Sequence, residues 1–329
     1  MHGKRTLVRQ VVRIAAAVVD KQASEVSAAE FDALFDELCT WNRWREHPER
    51  GALNYVTPEQ VAAAASLART GVTVTLSRPL PTERRADNPA PADHHMTMLT
   101  DVDIGSGSVR FTKDYIGADY HNDGHSHIDA FCHVAYRGRF YGGAPETAVT
   151  SQGAEADGIE VLENGLLGRG VLLDIPRVRG VPWLEPGDHI YPDELEAAES
   201  GQGVEVRAGD ILLVRVGHPR RLAELGPWDT RDARAGFHPT AMRFVAERRV
   251  AALGSDGNND TAPSTTEGVG FPIHVLTLNA MGVHLFDWLQ FEDLVAHCES
   301  TSRWDFLFVA APLRVSGGTG SPLNPIAVF

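Results

Sequence analysis

Four of the chain's 14 histidines and two aspartates fall within Tyr120-His121-Asn122-Asp123-Gly124-His125-Ser126-His127-Ile128-Asp129-Ala130-Phe131-Cys132-His133. All six carry odd numbers: His121, Asp123, His125, His127, Asp129 and His133. Alternate side chains of an extended strand share a face. A strand here would present all six on one side, with Asn122, Ser126, Ile128 and Cys132 on the other. Gly124 could bend the strand, yet His125, His127 and Asp129 stay within reach of one point. Imidazole and carboxylate converging on one spot suit a first-row divalent ion such as Zn or Mn. So dense a cluster can also supply the acceptor that a ligating imidazole needs for its second ring N–H. A solvated, His-rich loop without metal is the competing reading, and the single parity of the six polar groups weighs against it.

A strand carrying such a cluster needs a sheet and covering helices, and the remaining chain supplies them. Ser27 and Glu30 form a capping box, and Phe31, Leu34, Phe35 and Leu38 recur at helical spacing, predicting an amphipathic helix over 28–39. Trp41-Asn42-Arg43-Trp44 is an aromatic loop, either a hydrophobic plug or a flap over a pocket. Thr57-Pro58-Glu59-Gln60 opens a second, alanine-rich helix to about Arg69, stopped by Gly71. Val72–Leu76 alternates as a strand, and residues 79–95, with four prolines, read as a surface loop near the site. Residues 109–116 predict a strand leading into the His-rich stretch, and 136–143 a hairpin or turn.

Short continuous apolar runs at 171–174, 211–216, 250–254 and 306–310 predict buried strands, and 283–286 a further strand ending at Asp287. Helices are expected at 192–198, 240–247 and 274–281, the last closed by Gly282, and Pro312–Pro325 is a Gly/Pro-rich loop. Strands and helices mixed throughout favour one α/β domain over 27–329, with a mixed sheet and flanking helices.

The chain has 329 residues, 43% apolar and 22% charged, with a net charge of −14. That charge argues against nucleic acid or an anionic membrane as partner. Three widely spaced cysteines without a CxxC pair argue against a disulfide framework and for a reducing, cytoplasmic setting. Cys132 has the wrong parity for the cluster and reads as a small core residue. Lys4, Arg5 and Arg9 before the apolar run Val11–Val19 imitate a signal peptide, but Arg13 interrupts the run and Asp20 follows it. Residues 1–26 are therefore expected to be a helical or disordered extension.

Other motifs are set aside. Gly317-Gly318-Thr319-Gly320-Ser321 resembles a phosphate cradle, but no GK[ST] follows. No early GxGxxG and no GxSxG elbow is present. His238 reads as structural, and His189 and His218 are assigned no role.

The chain resembles the metal-dependent cyclase family, the group that includes bacterial kynurenine formamidase and isatin hydrolase, and most closely its longer branch. The family pattern is H-x-G-T-H-x-D-x-P-x-H. His127, Asp129 and His133 match its second His, its Asp and its last His. Arg50–Asn54, Leu253–Asp256 and the tail Pro312–Pro325 also resemble family segments. The family's first His falls on Asp123, its Thr on Ser126 and its Pro on Phe131, so Asp123, His125 or His121 could replace the first ligand. His274 matches a later family His, and Asp287 stands where the family has Glu.

The resemblance implies a swivelling β/β/α fold, homodimers or homotetramers, and hydrolysis of an amide or ester in a small molecule, often within a ring. It leaves both one and two metal ions open. On this footing His125, His127, Asp129 and Asp287 are the expected ligands and His133 the base, with His274 completing the catalytic set. Two other functions compete: a metal-dependent cyclase or dehydratase of a biosynthetic intermediate, and a non-catalytic binding paralogue.

Overall fold

A computed structural model describes residues 24–329. The expected N-terminal extension falls mostly on residues 1–23, outside the described ones. Val26 is buried and bridges Thr266, so the folded body is already engaged at that point.

Runs such as Val171–Asp174 and Ile211–Arg215 have both faces covered, which is why they lack polar alternation. They belong to a nine-stranded mixed sheet. Its strands are β1 (Thr73–Thr75), β2 (His127–Asp129), β3 (Leu166–Asp174), β4 (Ile211–Arg215) and β5 (Ala252–Ser255). The remaining four are β6 (His284–Asp287), β7 (Asp305–Ala310), β8 (Gly320–Pro322) and β9 (Ile326–Val328). In space the order is β1-β9-β7-β3-β4-β5-β6-β2-β8. The centre, β3 to β6, is parallel, and both flanks are antiparallel. Alternate residues feed two cores: Val171, Leu173, Leu212 and Val214 enter one, while Leu172, Ile211 and Leu213 enter the other.

The capping box at Ser27 and Glu30 starts a helix over Ala28–Leu38, and its four predicted apolar residues seal the first core. The helix from Pro58 ends at Ala65, earlier than the alanine run suggested. Leu195 and Ala198 of helix Pro192–Gln202 also join the first core, whereas Leu294, Val295 and Cys298 of helix Glu292–Thr301 join the second.

The segment after Pro272 is one α-helical turn continuing as a π-helix over Val275–Met281, closed by Gly282 in the left-handed conformation. Gly51 (φ 49°) packs its Cα against this cap, and a Cβ there would collide with the Gly282 carbonyl. This contact ties the Arg50–Asn54 segment to the element that carries His274.

The aromatic loop is a plug. Trp41 packs edge-on to Phe35 and donates to the Asn279 carbonyl (2.6 Å). The expected strand at 109–116 forms as Lys113–Gly117, but it pairs only with Asp93–Met98, in a separate two-stranded hairpin. Around that hairpin Met96, Leu99, Val102, Ile104, Val109, Phe111, Tyr115 and Ile116 are exposed. Among the described residues no helix is long and apolar enough to cross a membrane.

Candidate metal centre

Strand β2 lies between β6 and β8. The register places Asp287 opposite His127 and Phe286 opposite Ile128. Paired residues across an antiparallel ladder share a face. His127, Asp129 and Asp287 therefore project together, while Ile128 and Phe286 enter the second core. Period-two spacing thus operates as expected, but over only three residues. His133 is brought round by a 3₁₀ turn, Phe131–His133, and His121 by the turn before the strand.

Asp129 is fully buried and is the centre of the arrangement. Its Oδ1 lies 3.0 Å from His121 Nδ1 and 3.4 Å from His127 Nε2, and its Oδ2 lies 3.4 Å from His274 Nε2. His274 Nε2 is also 3.3 Å from Asp287 Oδ2. Neither Asp129 oxygen has a hydrogen-bond partner, although imidazole nitrogens surround it. Donors that approach without bonding to one another are aimed at a shared point. Two ligands about 2.0–2.1 Å from one ion at a tetrahedral angle lie about 3.3 Å apart, close to these separations. Two overlapping groups result, His121–Asp129–His133 and His127–Asp129–Asp287, and Asp129 belongs to both.

The surrounding groups orient the donors. His274 Nδ1 is 2.5 Å from Asp260 Oδ2, and the Asp260 carboxylate also accepts from the Ile273 amide (2.7 Å). This leaves His274 Nε2 pointing at the site, the arrangement that fixes a ligating imidazole. His127 Nδ1 bonds the His125 carbonyl (2.8 Å), freeing Nε2. Asn258 (2.7 Å) and Asn259 donate to the two oxygens of Asp287. His121 Nε2 contacts Thr319 Oγ1 (2.9 Å), so the set-aside glycine-rich tail serves as a support.

Charge gives a second test of fit. Burial would raise the pKa of Asp129, but the surrounding imidazoles of His133, His127, His121 and His274 hold it well below the usual range. Burial would lower the pKa of His274, but Asp287, Asp129 and Asp260 push it well above normal. His133 and His284 are pushed down to about 4 by burial and stay neutral. Asp129, Asp260 and Asp287 thus gather three fully buried acids around one raised imidazole. Buried carboxylates need compensating charge, so the residues fit a divalent cation. Asp260→Asn should weaken metal affinity by about 10–100-fold, as read by competition with a chromogenic chelator.

The structure separates two sequence candidates from this cluster. His125 is not with the others: Nε2 contacts the Ala90 carbonyl (3.1 Å), and burial lowers its pKa. The chain turns through Gly124 before β2 begins, so the odd-number rule does not reach His125. Asp123 accepts from Thr230 and lines the cavity but lies outside both groups. His121 takes up the position near Asp129 instead. His274 and Asp287 lie in the cluster, with His274 Nε2 3.4 Å from Asp129 and 3.3 Å from Asp287, and His133 stacks on His121 with 3.8 Å between ring centres.

Asp260, Asn258, Asn259 and Arg78 were not singled out from the sequence. The one signal for the first three was the polar run Asn258-Asn259-Asp260 just beyond Leu253–Asp256, and Arg78 had none. Arg78 donates to the carbonyls of Asp123 (2.8 Å) and Trp288 (3.3 Å), stapling the turn to the end of β6. Cys132 is buried in the second core with its thiol pushed up to about 12 by burial.

The cluster opens into a cavity of about 650 Å³. Pro89 brings the 79–95 loop to its wall, together with Arg231, Arg234, Phe271 and Trp288. Neither Trp41 nor Trp44 reaches it.

The family described as "Putative cyclase" matches residues 74–259. A solved structure described as a novel cyclase is 32% identical, with a TM-score of 0.79 over 90% of this chain and 99% of that one. The chain belongs to the cyclase family. Isatin hydrolase A from Labrenzia aggregata shares the fold at 19% identity and a TM-score of 0.57, over 82% of this chain and 97% of that one. Isatin hydrolase A from Ralstonia solanacearum does so at 21% and 0.56, over 83% and 97%. No curated protein sequence matches the chain.

Proposed function

We propose that the protein is a divalent-metal-dependent hydrolase of an amide or ester bond in a small molecule, such as a cyclic amide, lactone or formamide. The observation that carries this reading is Asp129, buried, without a hydrogen bond and ringed by imidazole nitrogens and Asp287. The fold shared with isatin hydrolases supports it. His121, His127, Asp129, His274 and Asp287 would hold the ion, and a mixed imidazole and carboxylate set suits Zn or Mn. When bound, the ion would supply positive charge that acidifies water and polarises a carbonyl.

The chain's own residues do the rest. The cavity, lined by His127, His133, His274 and Asp287, admits the substrate beside His133. Water oxygen bonds to the carbonyl carbon, and the bond from that carbon to nitrogen or oxygen breaks. His133, neutral at pH 7, takes the water proton and passes it to the leaving nitrogen or oxygen. The Asp129 carboxylate favours the imidazolium formed in between.

Elemental analysis of protein purified without chelator should find a divalent metal. A panel of lactones, cyclic imides and N-formyl anilines should show turnover that EDTA abolishes and added metal restores. Protein that takes up no divalent ion under any condition would sink the reading, and ring closure or dehydration without net hydrolysis would favour a cyclase instead.

A homodimer or homotetramer in the cytoplasm belongs to the same proposal. An isolated two-stranded hairpin is marginal in water, and a standard interface takes about 800 Å² from each partner. The eight exposed apolar residues around the 93–117 hairpin present area of that order for a second copy. Light scattering should give a mass of at least two chains, and Ile116→Lys with Phe111→Lys should lower it.

A further inference from the structure

Arg234 is 5% exposed and lines the cavity of the metal centre. Its Nε donates to the Asp260 carbonyl (3.0 Å) and its Nη1 to the Thr230 carbonyl (3.0 Å). Its guanidinium carbon lies 5.3 Å from the centre of the Phe271 ring. Among the described residues it has no carboxylate partner. Three other shielded arginines are paired with carboxylates: Arg215 with Asp174 and Glu292, Arg179 with Glu194, Arg169 with Asp210. Arg231, also at the cavity, is occupied by Asp229 (2.5 Å). Arg78 is bonded to carbonyls too, but it does not line the cavity.

A guanidinium has five N–H groups in one plane. Two backbone carbonyls fix the plane of Arg234, and its remaining donors have no partner among the described residues. A buried cation without a counter-charge is costly, and a planar fork matches a carboxylate through two parallel bonds. Phe271, half-exposed, lies against Arg234 and, edge-on with ring centres 5.7 Å apart, against His274. An apolar wall therefore joins the unpaired cation to the metal centre, and it is the size of one small ring.

Resting on the hydrolase reading for the scissile bond, we infer that Arg234 binds a carboxylate of the substrate. The substrate class is a small aryl or cyclic amide or ester that carries a carboxylate about one ring away from the bond that is cut.

Calorimetric titration of the purified protein with benzoate and with benzamide tests this without turnover. Benzoate should bind and benzamide should not. Arg234→Met should weaken benzoate by at least about thirtyfold, the loss expected when one partner of a buried charged pair is removed. Arg234→Lys, which keeps the charge, should retain part of the affinity and guards against a folding defect in the first variant. Benzoate that fails to bind the wild type, or binds all three forms equally, overturns the inference. Turnover of formanilide and 2-formamidobenzoate then separates the two readings. Arg234-dependent benzoate binding with no hydrolysis keeps this inference and sinks the hydrolase. Hydrolysis of formanilide without that dependence does the opposite.

Discussion

Asp129→Asn should leave the protein without its divalent ion and slow hydrolysis by about a thousandfold or more. The substitution keeps the shape of the side chain and removes its charge. Asp129 is the one residue common to both donor groups. One oxygen faces His121 and His127, the other His274. An amide at this position would turn an NH₂ group on imidazole nitrogens held to accept or ligate, and it would withdraw one of three buried negative charges. Metal per chain, measured after dialysis, should fall below about one tenth of wild type. The folded state supplies an independent readout. An ion that binds only the folded chain at 100 times its Kd stabilises it by about 2.7 kcal/mol. Added metal should therefore raise the Tm of wild type and leave that of the variant unchanged. In EDTA the variant should be less stable than wild type, because the imidazoles that hold Asp129 charged, His274 above all, lose their counter-charge. A variant that keeps its full metal content would remove Asp129 from the centre of the site.

Part of this cluster was legible in the sequence, for a reason that also explains where the reading stopped. Strand periodicity is a local rule, and it placed His127 and Asp129 on one face because β2 is a real strand. It grouped His125 with them because a pattern of odd numbers does not show where a strand begins. Gly124 was noted as a possible bend, but only the pairing of β2 with β6 and β8 fixes the start at His127. Asp287 and His274 were reached through family resemblance, since nothing local distinguishes them.

The register then supplies the physical reason for Asp287: it faces His127 across the ladder. Asp260 went unmarked because its role depends on a helix that begins twelve residues later and points His274 back at it. Arg234 went unmarked because an arginine in sequence looks the same whether or not a carboxylate answers it. The element boundaries behaved similarly. Strong caps at Ser27 and Thr57 were legible, while the end of the second helix at Ala65 and the π-helical geometry at 275–281 come from packing.

His133 poses the sharper question, because the same geometry permits two roles. It belongs to one donor group with His121 and Asp129, yet His127, Asp129 and Asp287 form a group without it. If it is the base, His133→Ala should keep the metal and lower kcat by about 10²–10⁴-fold. If it is a ligand, metal and activity should fall together. Its ring stacks on His121 and is buried enough to be pushed down to about 4, so at neutral pH it carries no proton on the accepting nitrogen. That state is what a proton acceptor needs, and the adjacent Asp129 carboxylate favours the charged form once the proton arrives. Truncation leaves a gap beside the cavity of about the size of the lost ring. Free imidazole at tens of millimolar should enter it and recover part of the lost rate, with the recovery rising as pH passes the pKa of free imidazole near 6.5–7. A purely structural role for His133 would show no such rescue. Full turnover in His133→Ala, with metal retained, would assign the proton transfer to another group, and His274 would be the next to test.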